Sequence, residues 1–235
     1  MMKCVEDGHG IVALANLYPT DGKEELDSYM YQSVGHDAIE SIAKCFGLPL
    51  YRHPIRGTPK NLDYDYVPTA EDEVEDLYEL LKTVKKDFPD AEGVSSGAIH
   101  SNYQKNRVEE ICGRLGMTSI AYLWGREQAG LLDEMIASNL NAVLIKTAVI
   151  GLGPVDLGRS IAEMRDKLFD LKEKYQINVC GEGGEFESLT LDCPLFKEFR
   201  LEIEEAEKIV HREDYWSPVV FLKIRKLKMV PKTAN

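Results

Sequence analysis

The chain has 235 residues, enough for one or two domains, and its 44% hydrophobic content is typical of a globular protein with a sizeable core. Its net charge of −12 argues against general nucleic-acid binding, which needs clustered Lys and Arg, and against an anionic membrane surface. Its five cysteines are odd in number and form no Cys-x-x-Cys pair. Neither a membrane-length apolar run nor a signal-peptide pattern is present. We therefore expect a cytoplasmic protein with no nucleic-acid or membrane partner.

The first half of the chain alternates between helical and strand patterns. Its most regular helix carries Val74, Leu77 and Leu81 on one face, with acidic residues at its start and lysines at its end, as the helix dipole favours. The alternation predicts an α/β fold with a doubly wound parallel sheet and helices on both faces. The predicted elements, in chain order, are a helix end at 1–6, a strand at 11–15, a helix at 30–46, a strand at 50–55, a helix at 71–86, a strand at 93–99, a helix at 108–115 and a strand at 119–123.

The pattern changes after Trp124, where strands become more frequent than helices. We therefore place a domain boundary near 124–127 and predict one α/β domain at 1–124 and a second, smaller α/β domain at 125–235. The elements predicted for the second domain are helices at 131–136 and 161–171 and strands at 142–150, 177–179, 189–192, 199–203 and 220–224.

The most informative segment is Cys-Gly-Glu-Gly-Gly-Glu-Phe-Glu-Ser at 180–188, between two predicted strands. Its glycines allow positive φ or the close approach of a ligand. Its carboxylates, Glu182, Glu185 and Glu187, repel one another unless a positive group lies between them. The alternative is a solvated acidic turn. We favour a binding loop, here called the acidic loop, whose ligand carries positive charge or several hydrogen-bond donors.

The start of the chain lacks an element that the predicted fold requires. A doubly wound sheet begins with a strand, whereas residues 1–6 resemble the crossover helix that follows one. Such a first strand is usually central, and the loop after it usually binds a nucleotide phosphate at a helix N-terminus. Neither Gly-x-x-x-x-Gly-Lys-Ser/Thr nor Gly-x-Gly-x-x-Gly occurs in the sequence.

Three further segments form an ordered set of motifs with the acidic loop. They are Glu-Leu-Asp-Ser-Tyr-Met-Tyr-Gln at 25–32, Gly-Ala-Ile-His-Ser-Asn-Tyr-Gln-Lys-Asn-Arg-Val-Glu at 97–109 and Ala-Tyr-Leu-Trp at 121–124, and the acidic loop itself extends to Asp-Cys-Pro-Leu-Phe at 192–196. The set resembles the diphthine–ammonia ligase, or diphthamide synthase, family along the whole chain.

The resemblance implies an ATP pyrophosphatase-type enzyme. Its fold would be a HUP-like (adenine nucleotide α-hydrolase-like) nucleotide-binding domain followed by a smaller substrate-binding domain that carries the acidic loop. ATP would adenylate the carboxylate of diphthine, a modified histidine on a translation elongation factor, and ammonia, supplied as ammonium, would displace AMP. Mg²⁺ would enter with the ATP phosphates.

The resemblance also implies that the family's phosphate-binding loop, Ser-Gly-Gly-x-Asp-Ser, lies before Met1. In the family a paired methionine follows that loop and leads into Cys-Val and Gly-His, as Met1 and Met2 do here. We therefore expect about twenty residues to be missing from the start, namely a strand, a loop and a helix turn. We also expect the chain as written to bind ATP poorly and not to ligate.

The acidic loop supplies the candidate catalytic residues, Glu182, Glu185 and Glu187. Diphthine carries a quaternary ammonium, which carboxylates and aromatic faces attract, and a glutamate is a suitable base for the incoming ammonium. Lys146 interrupts an apolar strand, so it faces either the cleft or an exposed sheet edge. The candidate substrate-binding residues are Gly183, Gly184, Phe186, Trp124 and Lys146, with Tyr103 as a further aromatic face.

The candidate nucleotide contacts lie at the ends of two predicted strands, on the ligand side of an open α/β sheet. The segment after strand 93–99 is read alternatively as a helix cap followed by surface polar residues. The end of the first strand, where the resemblance places the adenine, is read alternatively as a plain turn. The candidate residues are Asn16, Leu17, Gly97, Ser101, Tyr103, Gln104 and Arg107.

No protein-bound metal and no cysteine nucleophile are predicted. The histidines follow no metal spacing, and Cys180 and Cys193 lack a Cys-His signature, so we interpret both as small packed residues. Three functions stay open. They are ATP-dependent amidation of diphthine, ligation of a different carboxylate, and a non-catalytic truncated isoform that binds the elongation factor.

Overall fold

The computed structural model describes residues 1–20, 26 and 28–232. None of the helices in these residues combines the length and apolar content that crossing a bilayer requires. The elements, in chain order, are α1 (Met2–Glu6), β1 (Leu14–Pro19), α2 (Ile39–Phe46), β2 (Leu50–Ile55), α3 (Glu73–Asp87), β3 (Gly93–Ser95), α4 (Asn102–Arg114), β4 (Thr118–Ile120), α5 (Gln128–Ala137), β5 (Asn141–Thr147), α6 (Ile161–Tyr175), β6 (Phe186–Asp192), β7 (Phe199–Arg212) and β8 (Val219–Pro231).

The chain divides into two compact units. Unit 1 comprises Met1–His36 and Leu48–Gly125, and unit 2 comprises Asp37–Gly47 and Arg126–Asn235. The sequence had placed α2 in the first domain, but α2 packs against β7 and β8 of unit 2. The Phe46 ring meets Phe196 edge-on, with centroids 4.8 Å apart. An apolar stripe predicts a helix, but it does not specify which core the helix joins.

Unit 1 contains two separate pairs of parallel strands. β1 pairs with β2, from Leu14 opposite Leu50 to Pro19 opposite Ile55, and β3 pairs with β4. Helix α3 joins both cores of the unit, since Leu80 packs with β1 and β2 residues while Val74 and Leu81 pack on α4. The prediction of a mixed α/β architecture with parallel strands is therefore confirmed. A single continuous sheet is not seen in the described residues of this unit.

Unit 2 is built on a four-stranded antiparallel sheet in the order β6-β5-β8-β7. Helix α6 and the strands share a core that contains Leu144, Met164 and Leu168. The strand predicted at 177–179 is absent from the structure. The backbone N–H groups of Asn178 and Val179 donate instead to the Glu185 carboxylate and to the Gln128 side chain. Side-chain acceptors thus replace a neighbouring strand there.

The helix predicted at 30–46 begins only at Ile39. Before it, the Ser28 hydroxyl accepts hydrogen bonds from the backbone N–H groups of Met30 and Tyr31, both at 3.0 Å, and the Ser33 hydroxyl accepts one from Leu26. These serine contacts offer the backbone an alternative to helical hydrogen bonds. Positions 25 and 27 of the first motif lie outside the described residues.

Candidate active site

The acidic loop is built from two consecutive turns. The N–H of Gly181 donates to the carbonyl of Asn178 at 3.1 Å, and that of Gly184 donates to the carbonyl of Gly181 at 3.0 Å. Gly181 and Gly184 have φ of +78° and +83°. A Cβ at Gly181 would also lie 2.6 Å from the carbonyl oxygen of Phe186. The positive φ of both residues requires glycine, as the sequence predicted, and Gly181 is also required because the Phe186 backbone approaches it closely.

Glu185 ties the two ends of the loop together. Its carboxylate accepts hydrogen bonds from the N–H of Asn178 and of Gly183, both at 2.8 Å. Its own carbonyl accepts one from Ala148, at the end of β5, at 2.9 Å. Both carboxylate oxygens are thus bound by backbone donors, an arrangement that orders a turn. The geometry favours a positioning role for Glu185 over the catalytic role expected from the sequence.

Glu187 pairs with Lys146 across adjacent strands. The Lys146 ammonium lies 3.0 Å from the Glu187 carboxylate, and the two side chains are only 15% and 18% exposed. A charged residue is tolerated in this apolar strand because its partner is directly opposite in the β5–β6 register. Lys146 therefore contacts the acidic loop segment within unit 2. Glu182, half-buried, is the remaining loop carboxylate.

Phe186 anchors the loop to the core of unit 2. Its side chain is 5% exposed and packs in the core cluster, so the ring face is covered by the protein itself. Gly183 and Gly184, between Phe186 and Cys180, are exposed at the loop surface. Of the predicted substrate contacts in this segment, the structure therefore leaves the two glycines open to a ligand and buries the phenyl ring.

The cysteines that flank the loop are suited to packing. Burial raises the pKa of the Cys180 thiol to about 11, and the Cys180 sulfur lies 3.2 Å from the carbonyl of Gln128. Burial also raises the pKa of Cys193. A thiol of raised pKa is a poor nucleophile near neutral pH.

In unit 1 the predicted nucleotide segment begins at the N-terminus of α4. The Ser101 hydroxyl caps this helix by accepting from the N–H of Gln104 at 3.3 Å. The Gln104 amide in turn donates to the carbonyl of Tyr29 at 3.2 Å. The motifs at 25–32 and 97–109 therefore meet in space. Gly97, just before α4, is exposed, and a Cβ there would meet no atom within 4 Å.

Arg107 is fully buried, with no exposed surface. Its guanidinium donates to three backbone carbonyls, those of Asn61 at 2.5 Å, Asp63 at 3.1 Å and Tyr103 at 3.1 Å. The guanidinium carbon also lies 3.4 Å from the centre of the Tyr103 ring. These contacts hold the irregular 57–68 segment against α4. Arg107 was predicted to contact the nucleotide, but its burial and its carbonyl partners indicate a structural role.

The other predicted contacts of unit 1 are partly engaged within the protein. Asn16 and Leu17 were expected to end a strand, but both lie in the middle of β1. Leu17 is 5% exposed and lies in a core cluster, so its side chain is not open to a ligand. The Asn16 amide oxygen accepts from the Arg52 guanidinium at 3.1 Å. Trp124 is half-buried, with the Lys105 ammonium 5.1 Å from its ring centre. The Tyr103 hydroxyl is buried and has no hydrogen-bond partner in the described part of the chain.

Comparison with known proteins covers both units. Residues 20–119 match the diphthamide synthase N-terminal domain family, and residues 127–230 match the diphthamide synthase C-terminal domain family. A diphthine–ammonia ligase of Danio rerio is 53% identical over 236 residues, which cover 99% of this chain and 92% of the relative. The chain belongs to the diphthamide synthase family. The resemblance found in the motifs is thereby confirmed.

Other relatives in the diphthamide synthase family carry the same name. The diphthine–ammonia ligase of Homo sapiens is 48% identical over 239 residues, covering 100% of this chain and 89% of the relative. That of Schizosaccharomyces pombe is 53% identical over 225 residues, covering 96% of this chain but only 36% of the relative. Close relatives are thus named as ligases, and the chain is an enzyme of that class.

One buried carboxyl residue lies outside the motifs of this chain. Glu73, at the start of α3, is 1% exposed, and burial raises the pKa of its carboxyl to about 7. Ser28 and Met30 lie near that carboxyl and oppose part of the rise in its pKa, and the Tyr31 hydroxyl donates to the Glu73 carbonyl at 3.2 Å. Glu73 therefore holds the motif at 25–32. An acidic helix start predicts a favourable interaction with the helix dipole, but it does not indicate that one of the acids is buried.

Proposed function

We propose that the chain catalyses the ATP-dependent amidation of diphthine on a translation elongation factor to diphthamide. The expectation that the chain as written does not ligate stays a competing prediction, which the exchange experiment below decides. A carboxylate oxygen of diphthine would attack the α-phosphorus of ATP with loss of pyrophosphate, and ammonia would then attack the acyl carbon with loss of AMP. The observation that carries the proposal is the match of both units, in order, to the two diphthamide synthase domains. ATP binding is typical of this family.

Each unit supplies residues of distinct chemistry for this reaction. In unit 2 the acidic loop would attract the quaternary ammonium, with Glu185 positioning the turns and with Glu182 and the Lys146–Glu187 pair as the charged groups nearest the substrate. In unit 1 the cofactor site would use the open backbone at Gly97, the cap Ser101 with Gln104, and the Asn16 and Leu17 positions within β1.

Mg²⁺ is proposed as part of the ATP complex. Phosphate oxygens are the hard ligands that Mg²⁺ prefers, and they accompany the nucleotide into the site. Across residues 1–20, 26 and 28–232, no group of three or more His, Cys, Asp and Glu side chains is arranged to hold a metal. All five cysteines are free, which supports placing the protein in a reducing compartment, the cytoplasm.

A second candidate function is a non-catalytic form that binds the elongation factor. The split of unit 1 into two parallel pairs favours it, because β1 and β3 each pair on one side only among the described strands. An open α/β sheet usually binds its ligand where such central strands lie together. This candidate retains the acidic loop and the surface of unit 2.

ATP–pyrophosphate exchange tests both candidates. Purified chain, ATP, labelled pyrophosphate and diphthine-bearing elongation factor are mixed without ammonium, so that only the adenylation step runs. The proposal predicts exchange that depends on the diphthine-bearing factor and is absent with factor that carries an unmodified histidine. Binding of the factor without exchange would refute the ligase and support the non-catalytic form. Exchange that requires a different carboxylate and does not occur with the diphthine-bearing factor would refute diphthine as the acceptor.

A further inference from the structure

The turn between β7 and β8, residues 213–218, exposes two adjacent aromatic rings. Tyr215 is 88% exposed and Trp216 is 68% exposed, and their ring centres lie 4.8 Å apart at an interplanar angle of 88°. The Asp214 carboxylate orders the turn by accepting from the N–H of Trp216 at 2.8 Å and of Ser217 at 2.7 Å. Two large exposed rings that pack edge to face on an ordered turn are typical of a binding surface.

Strand pairing places this turn at the same end of the sheet as the acidic loop. One row of paired residues runs across the sheet in the order Phe186 of β6, Thr147 of β5, Val220 of β8 and Val210 of β7. Beyond that row the acidic loop enters β6 and the 213–218 turn joins β7 to β8. Because β6 and β8 are two strand spacings apart, their ends lie about 10 Å from each other. The aromatic turn and the acidic loop therefore border the same edge of unit 2.

The chemistry of the two segments is complementary to a cation. Positions 181–187 and 213–218 together contain five carboxylates, including Glu213 and Asp214, and no Lys or Arg, although one of the five, Glu187, is paired with Lys146 of β5. A quaternary ammonium cannot donate hydrogen bonds, so aromatic faces bind it best, with Trp the strongest. The aromatic residues predicted for that role are already engaged, because Phe186 is buried and cations of the protein lie over Trp124 and Tyr103. Tyr215 and Trp216 remain exposed.

We infer that Tyr215 and Trp216 are a recognition element for the protein substrate, contacting its quaternary-ammonium side chain and the polypeptide segment that presents it beside the acidic loop. The inference rests on the proposed function for the identity of that substrate. The turn acts in binding rather than in the chemical steps, so its removal raises the KM for the elongation factor and leaves the affinity for ATP unchanged.

The test measures binding of diphthine-bearing elongation factor to the full chain in the absence of ATP. The double variant Tyr215→Ala/Trp216→Ala is expected to bind about tenfold more weakly than the parent. The variant Tyr215→Phe/Trp216→Phe keeps both aromatic faces and is expected to retain most of the affinity. Tyr64→Ala, which removes a similarly exposed tyrosine from unit 1, is the matched control and is expected to bind as the parent does. Urea unfolding checks that the variants fold equally well.

Equal binding by the parent and the double alanine variant would overturn the inference. So would a change confined to self-association, measured by sedimentation, because the turn would then be a contact between copies of this chain. The proposed function fails separately. If the parent binds the factor through the turn but does not ligate, the function is wrong and the inference stands. If the double variant ligates with an unchanged KM for the factor, the inference is wrong and the function stands.

Discussion

The substitution Glu185→Gln separates positioning from proton transfer in the acidic loop. In the parent, both carboxylate oxygens accept backbone N–H groups at 2.8 Å. An amide keeps one acceptor and turns an NH₂ donor toward the other N–H, so one charge-assisted hydrogen bond is lost. Such a bond contributes about 1.5–3 kcal/mol, and because the side chain is only half-buried, water offsets part of the loss. We expect a destabilisation of about 1–2 kcal/mol.

Two measurements follow the effect of Glu185→Gln. Urea unfolding gives the loss of stability, and amide hydrogen exchange at Asn178 and Gly183 reports the loosening of the loop. We expect faster exchange at both amides and impaired ligation, with the affinity for ATP largely unchanged. Glu173→Gln, which removes the same charge from an exposed site on α6, is the control for charge alone.

The pH dependence of ligation decides between the two roles of Glu185. If Glu185 only positions the loop, Glu185→Gln lowers the rate at every pH and leaves the shape of the profile intact. If Glu185 is the general base, the substitution removes the limb of the profile that reports ionisation of the base. Unchanged stability, unchanged amide protection and loss of that limb in Glu185→Gln would refute the positioning role.

Three further substitutions test other parts of the structure. Lys146→Met removes the cation that pairs with the partly buried Glu187, so we expect urea unfolding to show a loss of about 2–4 kcal/mol in the free energy of unfolding. The double variant Lys146→Met/Glu187→Leu should recover this loss, and a failure to recover it would contradict the pairing. Glu73→Gln tests the raised pKa of about 7, which means that the folded protein holds the Glu73 proton more tightly than the unfolded chain does. As the pH rises from about 4 to 8, the stability of the parent should therefore fall by about 3 kcal/mol relative to the variant, and parallel stability curves would contradict the raised pKa. Arg107→Lys loses contacts to carbonyls of the 57–68 segment, so we expect it to cost about 2–3 kcal/mol of stability with little change in ATP affinity, whereas weaker ATP binding at unchanged stability would restore the nucleotide contact.

Elements set by local patterns could be predicted from the sequence. Helix α3 has an apolar stripe, an acidic start and a basic end, and all three follow from residues within one segment. The same holds for β2 and α6, whose predicted positions match the structure closely. The positive φ of Gly181 was predictable because only glycine adopts it without strain.

Features that depend on distant partners could not be predicted. Residues 177–179 have the composition of a strand, but the N–H of Val179 donates to Gln128, which lies 51 positions away. The carboxylate of Glu185 and the guanidinium of Arg107 are both bound to backbone atoms, and backbone partners leave no signature in the sequence. Tyr215 and Trp216 stand out as an aromatic pair only after the order of strands places their turn beside the acidic loop.

The fate of ¹⁵N-ammonium tests the central claim most directly. The chain is incubated with ATP, ¹⁵N-ammonium and diphthine-bearing elongation factor, and the modified histidine peptide is analysed by mass spectrometry while AMP is measured in parallel. The account predicts ¹⁵N in the amide of that residue, in amounts that match the AMP formed and only when ATP is present. Factor and ATP that bind without labelling the residue, or AMP formed without the labelled amide, would contradict it.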